Sequence, residues 1–329
     1  MQKIDFLAIG DTVIDAFIRL KDAHVHCKLD TDSCELCLGF GDKVPFEEVT
    51  VVPAVGNAAN AAVSAARLGL RSALITNLGD DKEGQDCLAS LKNDGVITDF
   101  VKINKGVKTN YHFVLWYTSE RTILIKHEKY SYEMPEVPEP KWVYFSSVSA
   151  EAFPFHNVVA DYLDKHPNIK LAFQPGKNEI KLGKEKLARF YERAEIFFCN
   201  VEEAETILGM ETKDVRKLSE GIAALGPKIV SISDGPKGAY LYKNGELWQL
   251  PIYPDIAPPY ERTGAGDAFS STFTAALGLG LDPLEAFRWG PVNSMSVVQK
   301  IGAQAGLLTR AKLEEYLSSA PADYQPKKV

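Results

Sequence analysis

The string Thr263-Gly264-Ala265-Gly266-Asp267-Ala268-Phe269 carries the most chemistry per residue in the chain. Two glycines flanking one small residue let a backbone come close to a ligand. The Ala-, Phe- and Thr-rich run behind them predicts a helix to about Leu277. Unpaired N–H groups at a helix N-terminus attract anions, and the helix dipole adds to that attraction. Asp267 falls in that first turn, where a carboxylate could simply cap the helix. A cap alone does not call for paired glycines. A carboxylate beside an anion cradle is suited to taking the proton from a hydroxyl that attacks a phosphoryl group.

The elements that must position this segment read as an alternation of strands and helices. Strands are predicted at Ile4–Ile9, Ser72–Asn77, Trp142–Ser146, Ile169–Phe173, Ile196–Cys199 and Ile229–Ser233. Helices are predicted at Asn57–Leu70, Lys82–Asn93, Phe155–Lys165, Lys184–Arg193, Glu202–Leu208 and Val215–Leu225. This order predicts a three-layer α/β/α domain with a mostly parallel central sheet. Residues 13–54 and 100–127 break the alternation, and their strand-like patterns predict one small β-sheet lid or dimer contact. The expected layout is a single domain over residues 1–320 and a polar, frayed tail over 321–329.

The chain has 329 residues, 45% hydrophobic and 25% charged, which excludes disorder and coiled coil. Lys+Arg 37 against Asp+Glu 44 leaves a net charge of −7, which disfavours a nucleic-acid partner. No apolar run is long enough to span a bilayer, and the first residues lack a signal-peptide pattern, so a cytoplasmic location is expected. The five cysteines, an odd number, read as thiols rather than a disulfide framework. Cys34 and Cys37, with His24, His26 or Cys27 nearby, also have half of a zinc-site spacing. No Gly-x-x-x-x-Gly-Lys-[Ser/Thr] string is present, and no Gly-x-Gly-x-x-Gly follows the first strand, so a P-loop NTPase and a nicotinamide dehydrogenase are unsupported.

The glycine string resembles the C-terminal signature of the ribokinase-like, or PfkB, carbohydrate kinase family. Gly56-Asn57-Ala58-Ala59-Asn60, Ala66-Arg67-Leu68-Gly69 and Leu78-Gly79-Asp80-Asp81-Lys82-Glu83-Gly84 resemble its N-terminal signature. Asn200-Val201-Glu202-Glu203 resembles its Asn-x-x-Glu motif, and Ser233-Asp234-Gly235-Pro236-Lys237-Gly238-Ala239 its nucleotide-loop string. These lie in the family's order across nearly the whole chain.

The resemblance implies an ATP- and Mg²⁺-dependent kinase that phosphorylates a hydroxymethyl group of a small sugar-like acceptor. Asp267 would be the general base, with the N–H groups of Gly264, Ala265 and Gly266 as an anion hole. Asn200, Glu203, Ser233, Gly235, Gly238 and Asn293 would serve the nucleotide, with Glu203 holding Mg²⁺ through waters. Asp15, Gly56, Asn57 and Asn60 would bind the acceptor. Read without the resemblance, Asp15 is a strand-end turn residue, Gly56 a tight helix entry and Asn57 an N-cap. Arg262 stands where the family is expected to carry an aspartate beside a monovalent-cation site, so a potassium requirement is in doubt. Val55 replaces an expected glycine and narrows the pocket floor. The aromatic run Tyr111–Tyr117 could stack a base, which keeps a nucleoside (adenosine-type) kinase as an alternative, and Arg121 or Lys126 could meet a phosphate. A non-catalytic nucleotide- or sugar-binding regulator is the remaining alternative. A homodimer through the lid is also an expectation.

Overall fold

Phe6–Ile9 has no polar face and forms strand β1, buried along its whole length. In this computed structural model, which describes residues 3–27, 34–118 and 120–329, β1 lies well inside the main sheet. The chain then leaves that sheet through β2 (Val13–Leu20), β3 (His24–Cys27), β4 (Cys34–Cys37) and β5 (Phe46–Val55). It returns through α1 (Asn57–Arg67), β6 (Ser72–Gly79), α2 (Lys82–Asn93) and β7 (Val101–Asn104). A second excursion makes β8 (Tyr111–Tyr117) and β9 (Glu120–Leu124).

Regular alternation follows through β10 (Trp142–Phe145), α3 (Phe153–Lys165), β11 (Lys170–Phe173), α4 (Lys177–Leu182), α5 (Ala188–Arg193), β12 (Ala194–Asn200), α6 (Val201–Leu208), α7 (Val215–Ala223) and β13 (Ile229–Ser233). The C-terminal part comprises β14 (Ala239–Lys243), β15 (Glu246–Leu250), α8 (Ala265–Gly278), α9 (Pro283–Val297), α10 (Arg310–Ser318) and β16 (Lys327–Lys328).

The ten-stranded sheet has the order β16-β15-β14-β13-β12-β11-β10-β1-β6-β7. Strands from β13 to β7 pair in parallel, and β14, β15 and β16 continue antiparallel at one edge. Each face is covered by its own core. One contains the alanines of α1 with Phe269, Phe273 and Phe287; the other contains Phe145, Phe173, Phe190 and Leu218. The alanines matter because α1 must pass close to β1: a Cβ on Gly10 would lie 2.8 Å from Ala58 Cβ. The three-layer expectation holds.

The two insertions meet in a four-stranded sheet, β5-β2-β8-β9, in which β2 and β8 pair in parallel. Val51, Ala16, Phe113 and Leu124 form one row across it. Val51, Phe113 and Leu124 are exposed on the side away from the cleft. Residues 28–33 of the first insertion and residue 119 of the second lie outside the described residues. No helix among the described residues is long and apolar enough to cross a membrane.

Two expectations are corrected. Cys27 and Cys34, cross-strand partners on the β3–β4 hairpin, form a disulfide. Cys37 stays free and exposed, and Cys87 and Cys199 are free and buried. Reading all five as thiols overlooked that a hairpin can bring two cysteines into register. Among the described residues no group of three or more His, Cys, Asp or Glu side chains is placed to hold a metal.

The tail after Ala320 is not frayed. Tyr324 is buried, its ring packs edge-on against Tyr253 at 5.0 Å, and its hydroxyl donates to Arg288 O at 2.7 Å. Lys327 and Lys328 then pair with β15. One aromatic anchor in a polar stretch is invisible to a composition argument. Tyr324→Ala should cost about 3–5 kcal/mol in urea unfolding, as for other buried aromatics, and Tyr324→Phe about 1 kcal/mol for the lost hydrogen bond.

Candidate active site

Asp267 sits in the first turn of α8, and three amide side chains, two from α1 and one from the end of β11, converge on its carboxylate. Asn57 Nδ2 on α1 donates to Oδ1 at 2.8 Å, and Asn60 Nδ2, one turn later, donates to Oδ2 at 2.8 Å. Gln174 Nε2, just past β11, donates to Oδ1 at 3.2 Å. Each amide is itself oriented. Gln304 Nε2 donates to Asn60 Oδ1 at 3.0 Å and to Ala54 O at 2.6 Å, so the nitrogen of Asn60 must face Asp267. Tyr144 donates its hydroxyl to Gln174 Oε1, and also meets Ser270 Oγ at 2.8 Å. Burial raises the Asp267 carboxyl above its ordinary range; the three donors pull it back, and the negative charge of Asp15 adds a further rise. The net direction is upward, which makes it a stronger base than a free aspartate.

The N-cap of α8 is Gly264, at φ +83°, a conformation that favours glycine. A Cβ there would lie 2.3 Å from Ala303 Cβ, so the loop and residue 303 are packed without space. A Cβ on Gly266 would meet nothing within 4 Å, which marks open space on that side. The Ala265 N–H points to Arg262 O at 3.5 Å, a marginal contact. First-turn N–H groups of α8 have no carbonyl four residues back in the helix and stay available for an anion.

A cavity of about 210 Å³ opens here, lined by Gly264–Asp267, Asn57, Gln174, Asn200, Glu203 and Ser233, with Arg121 and Arg262. Asn200 and Glu203 form a reciprocal cap on α6: Glu203 N–H donates to Asn200 Oδ1 at 2.8 Å, and Asn200 N–H donates to Glu203 Oε2 at 2.9 Å. Burial raises the Glu203 carboxyl; the Asn200 N–H lowers it and the charge of Asp267 raises it again.

The other expected nucleotide residues divide. Ser233 lines the cavity. Gly235 and Gly238 lie just beyond it, in the turn between β13 and β14. Asn293 does not reach the cavity. It is fully buried, donates to Thr272 Oγ1 at 2.7 Å and accepts from Leu308 N at 2.9 Å, so it ties α9 to α8 and to the following loop.

On the lid side, Asp15 on β2 stands across from His112 on β8, with Oδ1 3.4 Å from His112 Nδ1. Beside this pair His127 Nδ1 is 3.3 Å from Asp11 Oδ2, and the two imidazole rings meet edge-on at 5.3 Å. Asp11 also accepts from Tyr132 OH and Ser149 N, each at 2.8 Å. Asp15 Oδ1, His112 Nε2 and Thr12 Oγ1 are buried without a hydrogen-bond partner. Gly56, at φ +115°, is the N-cap of α1 and passes Asp11 O so closely that a Cβ would lie 2.6 Å from it. Asn57 is therefore not the cap: its side chain goes to Asp267. Val55 is buried in its pairing with Val13 and lines no part of the cavity.

A family model for pfkB family carbohydrate kinases matches residues 22–310. The chain belongs to that family. It is an ATP-dependent kinase with a ribokinase-like fold. It is 28% identical to Bacillus subtilis ribokinase over 84% of this chain and 92% of that one. It is 30% identical to a cytidine kinase of Thermococcus kodakarensis over 75% of this chain and 88% of that one. The structure of Arabidopsis thaliana ribokinase complexed with ribose and ATP superposes with a TM-score of 0.78 at 20% identity, covering 96% of this chain and 99% of that one.

Within the pfkB frame, the expected aspartate at position 262 is replaced by an exposed arginine, but an acidic group is still present one residue earlier. Glu261 is buried, and its Oε1 accepts from Thr263 N at 2.8 Å and Thr263 Oγ1 at 2.5 Å. Sequence reasoning missed Glu261, Gln174, Gln304 and Tyr144. Only Glu261, adjacent to the glycine string, carried a local signal. Gly264→Ala should both strain φ and collide with Ala303, costing roughly 2–4 kcal/mol in denaturant unfolding. Adding Ala303→Gly removes the Cβ contact but leaves the backbone Cα of residue 303 at 2.6 Å and the strained φ, so the double variant should recover only a small part of that loss.

Proposed function

We propose that this kinase transfers the terminal phosphoryl group of ATP to a hydroxymethyl group of a small sugar-like acceptor, with Asp267 as general base. The observation that carries the reading is the convergence of Asn57, Asn60 and Gln174 on a carboxylate at the N-terminus of α8. Three donors fix the direction of the carboxylate, while burial keeps its basicity above that of a solvated aspartate. The hydroxyl proton passes to Asp267 as the hydroxyl oxygen attacks phosphorus. The N–H groups of the Gly264–Gly266 segment offset charge on the transferring group.

Mg²⁺ fits this site only as part of the nucleotide complex. Both Asn200 Oδ1 and Glu203 Oε2 are engaged in the α6 cap, which leaves Glu203 Oε1 to hold the ion through water. The ion would supply charge neutralisation on the phosphates. Arg262 and Arg121 add fixed positive charge to the same cavity, which supports turnover without a monovalent-cation requirement.

A sugar-like acceptor is favoured over a nucleoside by which residues of β8 face the cleft. His112 faces Asp15, whereas Tyr111 turns to the opposite side and lines a separate cavity with Lys82, Glu83 and Asp86 of α2. Trp116 faces inward but is covered by Tyr260 and Arg19. Among the described residues of β8, neither Tyr111 nor Trp116 is left open on that side to stack a base, and the groups around Asp15 are hydrogen-bonding ones.

ATP consumption with sugars, sugar acids, sugar phosphates and nucleosides should give the highest kcat/KM with an unphosphorylated sugar or sugar acid; a nucleoside as best acceptor would sink that choice. Asp267→Asn should lower kcat by about 10²–10⁴-fold while nucleotide binding persists. Asn57→Ala removes a bond that favours the ionised carboxylate. The Asp267 pKa then rises, and since the base must be ionised, the acid limb of the kcat/KM profile moves to higher pH.

A further inference from the structure

Glu179 is a fully buried carboxylate that the chemistry above does not use, and it lies outside the cavity around Asp267. It belongs to the first turn of α4, and its two oxygens hold two separate loops. Oε1 accepts from Val148 N at 2.9 Å, in the loop after β10, and Oε2 accepts from Gly176 N at 3.0 Å, in the loop after β11. Asn178 Nδ2 donates to Val148 O at 3.2 Å, so the start of α4 engages both backbone groups of Val148. The two loops also touch: a Cβ on Gly176 would lie 2.4 Å from Ser147 Oγ. Behind the carboxylate His156 of α3 is buried too, with Nε2 3.4 Å from Glu179 Oε1. Burying a carboxylate is costly unless donors surround it. Capping α4 needs only the Gly176 N–H; the bond to Val148 and the imidazole behind it go beyond what a short helix requires.

Each loop continues into the cleft. Gln174 N–H is held by Phe145 O at 3.0 Å and Gly176 N–H by Glu179, with Pro175 between them restricting φ. From this pinned segment the Gln174 side chain donates to Asp267 Oδ1 at 3.2 Å. In the other loop, on either side of Val148, Ser147 O accepts from Asp11 N at 2.9 Å and Ser149 N donates to Asp11 Oδ2 at 2.8 Å. We infer that Glu179 is a positioning residue for phosphoryl transfer: one carboxylate outside the cavity sets Gln174 against Asp267 and holds the Asp11 loop in register with it. The inference rests on the proposed role of Asp267 and adds to it the group that fixes the third donor. A shift of about 0.5 Å in the Gln174 segment would carry that 3.2 Å bond beyond hydrogen-bond reach, while Asn57 and Asn60, which come from α1, stay in place.

The test uses the full chain with Mg²⁺, ATP and whichever sugar, sugar acid, sugar phosphate or nucleoside gives the highest kcat/KM. Glu179→Gln keeps the shape but sets an NH₂ group against one of the two backbone N–H groups. It should lower kcat about tenfold or more, leave KM for ATP within about twofold, and move the acid limb of kcat/KM to higher pH, because the Gln174 donor that lowers the Asp267 pKa is displaced. Gln174→Ala should move the limb the same way, and adding Glu179→Gln to it should move it no further. Gly176→Ala, at a φ of −87° that alanine readily adopts, should reproduce the shift by driving a methyl into Ser147, and Ser147→Gly beside it should move the limb back. These two variants decide the question where Glu179→Gln does not fold. A wild-type pH profile in the folded Glu179→Gln, or a shift that adds in full to that of Gln174→Ala, would overturn the inference, since a purely structural role lowers the urea midpoint without moving the limb. Failure of the base reading is separate: Asp267→Asn then keeps full turnover, or no acceptor is turned over by the wild type. In that case a crystal structure of Glu179→Gln decides the placement by itself, and Gln174 Nε2 still bonded to Asp267 Oδ1 overturns it.

Discussion

One carboxylate in a polar cleft sets the terms for the rest of the molecule. A buried Asp267 without donors would simply take up a proton. Its ionisation depends on amide groups that arrive from α1, from the end of β11 and, through Gln304, from the loop beyond α9. These elements are far apart in sequence. Only a sheet that carries β1, β10 and β11 side by side, with α1 and α8 packed on one face, brings them together. The small residues of α1 and the close passages at Gly10, Gly56 and Gly264 serve that packing. The fold is thus the means by which three neutral dipoles are held on one charge.

The lid is attached to this arrangement at two different levels. β2 and β8 bring Asp15 and His112 to one part of the cleft, whereas β9 brings Arg121 into the cavity lined by Gly264–Asp267. Both come from one small sheet, so a movement of that sheet changes both sides at once. Closing it also excludes water, which on the proposed reading would otherwise compete with the acceptor for the phosphoryl group. Thr12, Asp15, His112, Arg121 and His127, where these insertions face the cleft, each hold a buried polar atom without a protein partner, as do Ser72, Tyr162, Ser219 and Arg288 elsewhere.

Much of this was legible in the sequence because it depends on local signals. Apolar runs and glycine punctuation marked the parallel strands, and α2 begins and ends at the predicted Lys82 and Asn93. The two breaks in alternation marked the lid. What escaped was set by contacts distant in sequence. Gln174 and Gln304 are ordinary polar residues until folding places them on Asp267 and Asn60. Tyr324 anchors a tail whose composition reads as solvated, and β14 to β16 extend the sheet through a ribbon with only moderate alternation. Asn293 illustrates the opposite error: a polar residue assigned to a ligand by resemblance spends both ends of its amide on helix packing. The Cys27–Cys34 bridge depended on hairpin register, which spacing alone leaves open.

Charge balance gives the last constraint. Without ligand, Asp267, Glu203 and Asp15 act on one another, and the upward push on Asp267 comes partly from Asp15 and that on Glu203 partly from Asp267. A nucleoside triphosphate would add several more negative charges within the same space. On the proposed reading, an anion hole of neutral N–H groups would reduce that cost but not cancel it. Cations must therefore accompany the phosphates, and the cavity holds two of its own, Arg262 beside the glycine string and Arg121 on the lid. Arg262 is tied by sequence to the loop, so its charge is present whether the lid is open or closed. Arg121 is tied to β9, so the glycine loop carries one of these cations and the lid the other. On the proposed reading, phosphate neutralisation would therefore draw on both the loop and the lid.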